Sequence, residues 1–137
     1  LDKYAVRCGG GINHRMGLSD AALIKDNHIA AAGSLIAAVN AVRSHQPDVV
    51  CEVECDTVNQ VREAVDAGIQ TILLDNMDDT QMTEAVGLCR PHGVITEASG
   101  GLTLNRATEI AATGVDYVAV GAITHSAPIL DLGLDFD

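Results

Sequence analysis

The feature that most constrains this chain is an alternation that runs through most of it. Short apolar runs stop at a polar residue, and each is followed by a stretch with helical spacing before the next apolar run. Five such runs end at Lys25, Glu54, Asp75, Glu97 with Ser99, and Gly121, and no hairpin signal lies between them. Strand and helix in strict alternation imply a parallel sheet with right-handed crossovers. Polar residues gathered at strand carboxyl ends are where both β/α barrels and open doubly wound sheets place ligands, so the pattern alone leaves those two architectures open. Five strands in 137 residues are too few to close an eight-stranded barrel, which needs about 250.

Composition narrows the reading. With 47% hydrophobic residues but only 2% aromatic and no Trp, the core must be built of Ala, Val, Leu and Ile. A net charge of −11 argues against a nucleic-acid partner, which selects a basic face. No apolar run reaches the roughly 20 residues of a membrane span, and no basic-then-apolar leader opens the sequence. The chain therefore reads as soluble and cytoplasmic, with no membrane partner. Cys8, Cys51, Cys55 and Cys89 lack the two close pairs of a zinc site and read as reduced packing residues.

Helices are expected over residues 29–45, from Thr57 to Gly68, from about Thr80 to Cys89 and from Leu104 to Ala112, and strands over VVCEVECDT, TILLD, 94–98 and 117–120. In the second strand Cys51, Val53 and Cys55 face one way and Glu52 and Glu54 the other, on a solvated edge or in a polar interior. Ser99-Gly100-Gly101 joins a strand to a helix start, a place where free backbone N–H groups and the helix dipole favour an anion. Gly121 follows the next strand and suggests a second such turn. Near the start, Gly9 to Gly11 lead into His14 and Arg15, two cationic side chains after a turn or simply a loop with solvated charges. His28 either lines a site or caps the next helix.

Taken together, GGGINHRMGLSDAALIKDNH, CEVECDT, ILLDNM, EASGGLTL and VGAITHSAPILDLGLDF resemble successive motifs of quinolinate phosphoribosyltransferase, in order and nearly end to end. The resemblance implies a partial, open TIM-like β/α barrel of about five parallel strands. Residues 1–137 would be a C-terminal barrel-domain fragment, with an N-terminal domain and the first barrel strand absent. It implies phosphoribosyl transfer from phosphoribosyl pyrophosphate (PRPP) to quinolinate with decarboxylation, giving nicotinate mononucleotide in NAD biosynthesis. Mg2+ would be the cofactor and a homodimer or higher homo-oligomer the full-length state.

The resemblance places His14, Arg15 and Lys25 on the quinolinate carboxylates, where forked and point cations both suit a dicarboxylate. Glu54 and Asp75 would meet the ribose and pyrophosphate, hold the metal directly or through water, and stabilise charge at the anomeric carbon. Lys25, Glu54 and Asp75 are thus the expected catalytic groups. Ser99, Gly100, Gly101, Gly121 and Ala122 correspond to phosphate turns, with His125 beside them. The family pattern also has a Thr-Arg-Lys segment upstream of Leu1 and an arginine from a neighbouring subunit, so the chain alone is expected to have little or no activity. A paralogue for another aromatic carboxylate, or a non-catalytic phosphate-binding remnant, are the alternatives.

Overall fold

A computed structural model describes residues 1–135, which fall into two compact units: His14–Val120, and Leu1–Asn13 together with the described residues from Gly121 onward. The larger unit holds the whole sheet. Its strands are β1 (Ala21–Ile24), β2 (Val50–Cys55), β3 (Thr71–Asp75), β4 (Ile95–Ser99) and β5 (Tyr117–Val118), all parallel and ordered β1-β2-β3-β4-β5. Sequential order with every neighbour parallel is the β/α-barrel arrangement, and among the described residues β1 and β5 do not pair, so the sheet stays open. The expected fold class holds.

Register explains which face does what. Leu23, Glu52 and Thr71 pair in a row, as do Glu54, Leu73 and Glu97, and as do Asp75 and Ser99. These residues share one face, the inner one. The alternate residues Ile24, Val53, Cys55, Ile72, Leu74 and Ala98 face the helices and are at most 2% exposed. They pack with Leu35, Val39, Val61, Ala64, Met82, Ala85 and Ile110 into one aliphatic core. Glu52 and Glu54 therefore lie on the inner face rather than on a solvated edge.

The helices begin where the sequence supplies caps. In α4 (Val58–Asp66) the Thr57 hydroxyl accepts from the Gln60 N–H and the Gln60 side chain accepts from the Thr57 N–H. Asp78 and Gln81 repeat that reciprocal arrangement at α5 (Asp79–Cys89). The stretch expected as one helix over residues 29–45 is instead two, α2 (Asp26–Ala32) and α3 (Leu35–His45). Gly33, at φ +90°, ends the first in a left-handed cap, and the Ser34 hydroxyl accepts from the Ala37 N–H to start the second. After β4 a single 3-10 turn (Leu104–Arg106) precedes α6 (Ala107–Thr113), so the regular helix starts later than Leu104. The last strand is also shorter than expected, at two residues.

The smaller unit contains α1 (Asp2–Cys8), which the sequence reading did not anticipate, and the single-turn α7 (Ala122–His125). Within it the Asn13 side chain donates to the Lys3 carbonyl at 2.8 Å. No helix among the described residues is long and apolar enough to cross a membrane. Cys55 and Cys89 sit fully buried in the core and Cys51 is half-buried, as packing residues should be, whereas Cys8 is exposed on α1.

Candidate active site

The inner face of the large unit collects the charged groups. At the carboxyl end of β1, Lys25 Nζ donates to Glu54 Oε2 at 2.6 Å across to β2. Glu54 is largely covered while the Lys25 ammonium is half in solvent. One of the three ammonium donors is used by this pair, which leaves two for an anion. Asp75 ends β3 with its Oδ2 accepting from the Asn76 side chain at 2.6 Å. Asp56 follows β2, and its carboxyl is pushed above the ordinary range first by burial and then by Asp75 and Asp26. These acids therefore share a neighbourhood at the strand ends, and their joint negative field favours a cation. The all-oxygen donors of Glu54 and Asp75 suit a hard divalent ion.

The Ser99-Gly100-Gly101 turn is built against the end of β3. Asn76, itself at φ +52°, donates its backbone N–H to the Ser99 carbonyl at 3.0 Å. Gly100 stands at φ +89°, and a Cβ there would fall 2.2 Å from Asn76 Oδ1 and 2.8 Å from Asn76 N. Close backbone approach, not only ligand access, thus demands glycine at this position. Gly101 differs: it is also left-handed, at φ +58°, but nothing lies within 4 Å of where its Cβ would be. The open side of the turn is at Gly101. Arg106 in the following 3-10 turn pairs with Asp79 at the start of α5, tying the loop after β4 to the helix after β3.

His14 and Arg15 are adjacent in sequence but take different partners. His14, itself exposed, places Nε2 2.9 Å from Oε2 of the buried Glu52 on the inner face. Arg15 donates to the Ala21 carbonyl at 2.9 Å, at the amino end of β1. Ala21 and Lys25 are four residues apart, roughly 13 Å along an extended strand, so this contact is made at the opposite end of β1 from Lys25. His28 caps: its Nδ1 accepts from the Lys25 N–H at 2.9 Å, holding the turn out of β1 into α2. Gly121, Ala122 and His125 belong to the smaller unit. There a Cβ on Gly121 would come 3.3 Å from the His125 ring, and His125 Nδ1 lies 2.6 Å from Ser126 Oγ.

Two acids noted in the sequence but given no site role there stand beside His14. Glu52 is 5% exposed, and Glu97 on β4, with a carboxylate oxygen within 4.8 Å of the ligand atoms of His14 and Glu52, has its carboxyl raised by burial and by Glu52, with His14 acting in the opposite sense. The signal was the alternation of Glu52 with Glu54, which fixes a shared face but not what covers it. Two hollows lie elsewhere, one beside Val86, Arg90 and Asp116 and one beside Ser19, His45 and Val50.

Comparison with known proteins bears on what this face is. Residues 1–135 match the model of the quinolinate phosphoribosyl transferase C-terminal domain. The chain is 53% identical over 137 residues to a nicotinate-nucleotide pyrophosphorylase [carboxylating] of Mycobacterium leprae, covering 98% of this chain and 48% of that protein. It is 46% identical to a probable nicotinate-nucleotide pyrophosphorylase [carboxylating] of Bacillus subtilis, covering 98% and 47%. Among solved structures it superposes on a NadC deletion mutant with a TM-score of 0.90 at 42% identity, covering 95% of this chain and 46% of that one. The chain thus spans about half the length of the curated relatives it matches. With the open parallel sheet, the strand-end charges and a family match over nearly its whole length, the chain belongs to the quinolinate phosphoribosyl transferase family, in the part that forms its C-terminal domain.

Proposed function

We propose that this chain is the barrel domain of a quinolinate phosphoribosyltransferase, which transfers the phosphoribosyl group of PRPP to quinolinate and releases pyrophosphate and CO2. The observation that supports this most directly is the placement of Lys25, Glu54, Asp75 and Ser99 on one face at the carboxyl ends of four successive strands. In this reading the ring nitrogen of quinolinate forms the new C–N bond as the anomeric C–O bond to pyrophosphate breaks. The C2 carboxylate then leaves as CO2, its electron pair held by the pyridinium ring until that carbon takes a proton.

The chain's part is charge and position. Lys25, with donors to spare beyond Glu54, meets a substrate carboxylate; His14 and Arg15 are assigned the same dicarboxylate on the resemblance. Glu54 holds Lys25 in place and presents its second oxygen, with Asp75, to ribose hydroxyls and the developing positive charge at the anomeric carbon. Ser99, Gly100 and Gly101 take the 5′-phosphate on their open side, and Gly121, Ala122 and His125 are read as a further phosphate turn on the resemblance alone. Mg2+, held by Glu54 and Asp75, supplies positive charge to the pyrophosphate oxygens when bound. Positioning of this kind lowers barriers by several kcal/mol without a nucleophile.

Calorimetry tests the reading. PRPP with Mg2+ should give heat that disappears in Asp75→Ala, and quinolinate should give binding heat of its own where nicotinate does not. A preference for the monocarboxylate would favour a paralogue for another substrate, and no heat with PRPP would sink the phosphate reading. Turnover is expected only from a longer protein that supplies the N-terminal domain, in a homodimer or larger assembly; robust activity of the 137-residue chain alone would overturn that expectation.

A further inference from the structure

His14, Glu52 and Glu97 each offer a ligand atom, and those three atoms lie within 4.8 Å of one another. Glu52 is the telling member. Its side chain is 6% exposed, one oxygen meets His14 at 2.9 Å, and the other, Oε1, is buried with no hydrogen-bond partner among the described residues. A buried carboxylate oxygen left without a donor is costly, and native structures rarely leave one so. Glu97 adds a second carboxylate where a donor would have answered the first.

We propose that His14, Glu52 and Glu97 form a binding site for a first-row transition-metal dication such as Zn2+, separate from the strand-end acids Glu54 and Asp75. One imidazole and two carboxylates are a mixed nitrogen and oxygen set that suits Zn2+ better than Mg2+, which seeks oxygen alone. Around a tetrahedral Zn2+ the donors stand about 3.4 Å apart, from bonds of about 2.0–2.2 Å. The observed separations need to close by little more than an ångström, and the His14–Glu52 contact to open by about half of one. A metal ion bound there would answer the Glu52 carboxylate, whose Oε1 has no hydrogen-bond partner among the described residues. Glu52 lies two residues before Glu54, roughly 7 Å back along β2, so the two sites are distinguishable by mutation. The site rests on geometry and not on the proposed reaction, with which it shares His14.

The test is titration of chelator-stripped protein with Zn2+, read by competition with a chromophoric chelator. One equivalent should bind, and Glu52→Gln and Glu97→Gln should each weaken it at least tenfold, with Asp75→Asn unchanged. Because a core variant can misfold, the wild-type protein is also titrated while the His14 ring nitrogens are followed by NMR; they should shift in step with occupancy. Co2+ loading gives a further reading, since a site without cysteine shows no thiolate charge-transfer band. Absence of binding, a thiolate band, unchanged affinity in both folded Gln variants, or a His14 signal that does not move would each overturn the proposal.

Discussion

Replacing Gly100 by Ala separates two reasons for a glycine at the turn after β4. The structure puts residue 100 at φ +89°, where an L side chain is strained by about 1–3 kcal/mol. The new methyl would also sit 2.2 Å from Asn76 Oδ1, 2.6 Å from Cγ and 2.8 Å from the Asn76 backbone nitrogen. The amide could swing away only by giving up its 2.6 Å bond to Asp75 Oδ2, a loss of about 1 kcal/mol. The backbone nitrogen cannot swing, because it donates to the Ser99 carbonyl at 3.0 Å; separating the two loops adds about 1–3 kcal/mol of overpacking. Gly100→Ala should therefore cost about 3–5 kcal/mol, summing the lower and middle parts of these ranges. Gly101→Ala, at φ +58° with open space around it, should cost only about 1 kcal/mol. Urea unfolding followed by far-ultraviolet circular dichroism measures both, and PRPP calorimetry on the folded Gly101→Ala protein asks whether its methyl blocks the open side. Equal destabilisation by the two substitutions, or a wild-type midpoint for Gly100→Ala, would refute the packing argument.

Thiol titration with an aromatic disulfide at mildly alkaline pH should find Cys8 reacting first, with Cys55 and Cys89 silent until urea unfolds the core, because burial pushes their thiols up to about 12 and about 11. The folded Cys55 thiol holds its proton more tightly than the unfolded one, so its stabilising contribution is complete below about pH 9 and is lost as pH rises toward about 12; Cys55→Val should flatten that alkaline decline in chemical-denaturation stability. Asp116→Ala removes the carboxylate that accepts from both the N–H and the hydroxyl of buried Thr96, at 2.8 and 2.9 Å, and should lower unfolding stability by about 2–3 kcal/mol. Ser34→Ala should cost about 1 kcal/mol in the same assay if α3 starts at its own cap; a neutral result would favour one continuous helix.

How much of this was legible beforehand depends on whether local chemistry or the assembled sheet decides. Thr57 with Gln60 declares a helix start within four residues, and the structure uses that cap. Gly33-Ser34 declares a stop and a start just as plainly, but the apolar stripe from Ile29 to Val42 runs through it and suggests one helix; the left-handed glycine and the Ser34 hydroxyl win locally. The shortness of β5 was not readable. Asp116, one residue before β5, accepts from the Thr96 N–H and hydroxyl with its side chain, a contact between residues that only the folded chain brings together.

The site shows the same division more sharply. That Glu52 and Glu54 share a face follows from the two-residue period of a strand, but which side of the sheet the helices cover is a tertiary fact. Once α3, α4, α5 and α6 bury Ile24, Val53, Ile72 and Ala98, both acids must turn to the inner face, and their fates part there. Glu54, at the strand end, finds the ammonium of Lys25 and a route to solvent. Glu52, one pleat deeper, meets the imidazole of His14 with one oxygen, and among the described residues its other oxygen has no partner. Two identical side chains two residues apart are thus given different surroundings by depth: one beside the ammonium of Lys25 at the rim, the other beside the imidazole of His14 with one oxygen left for a metal ion.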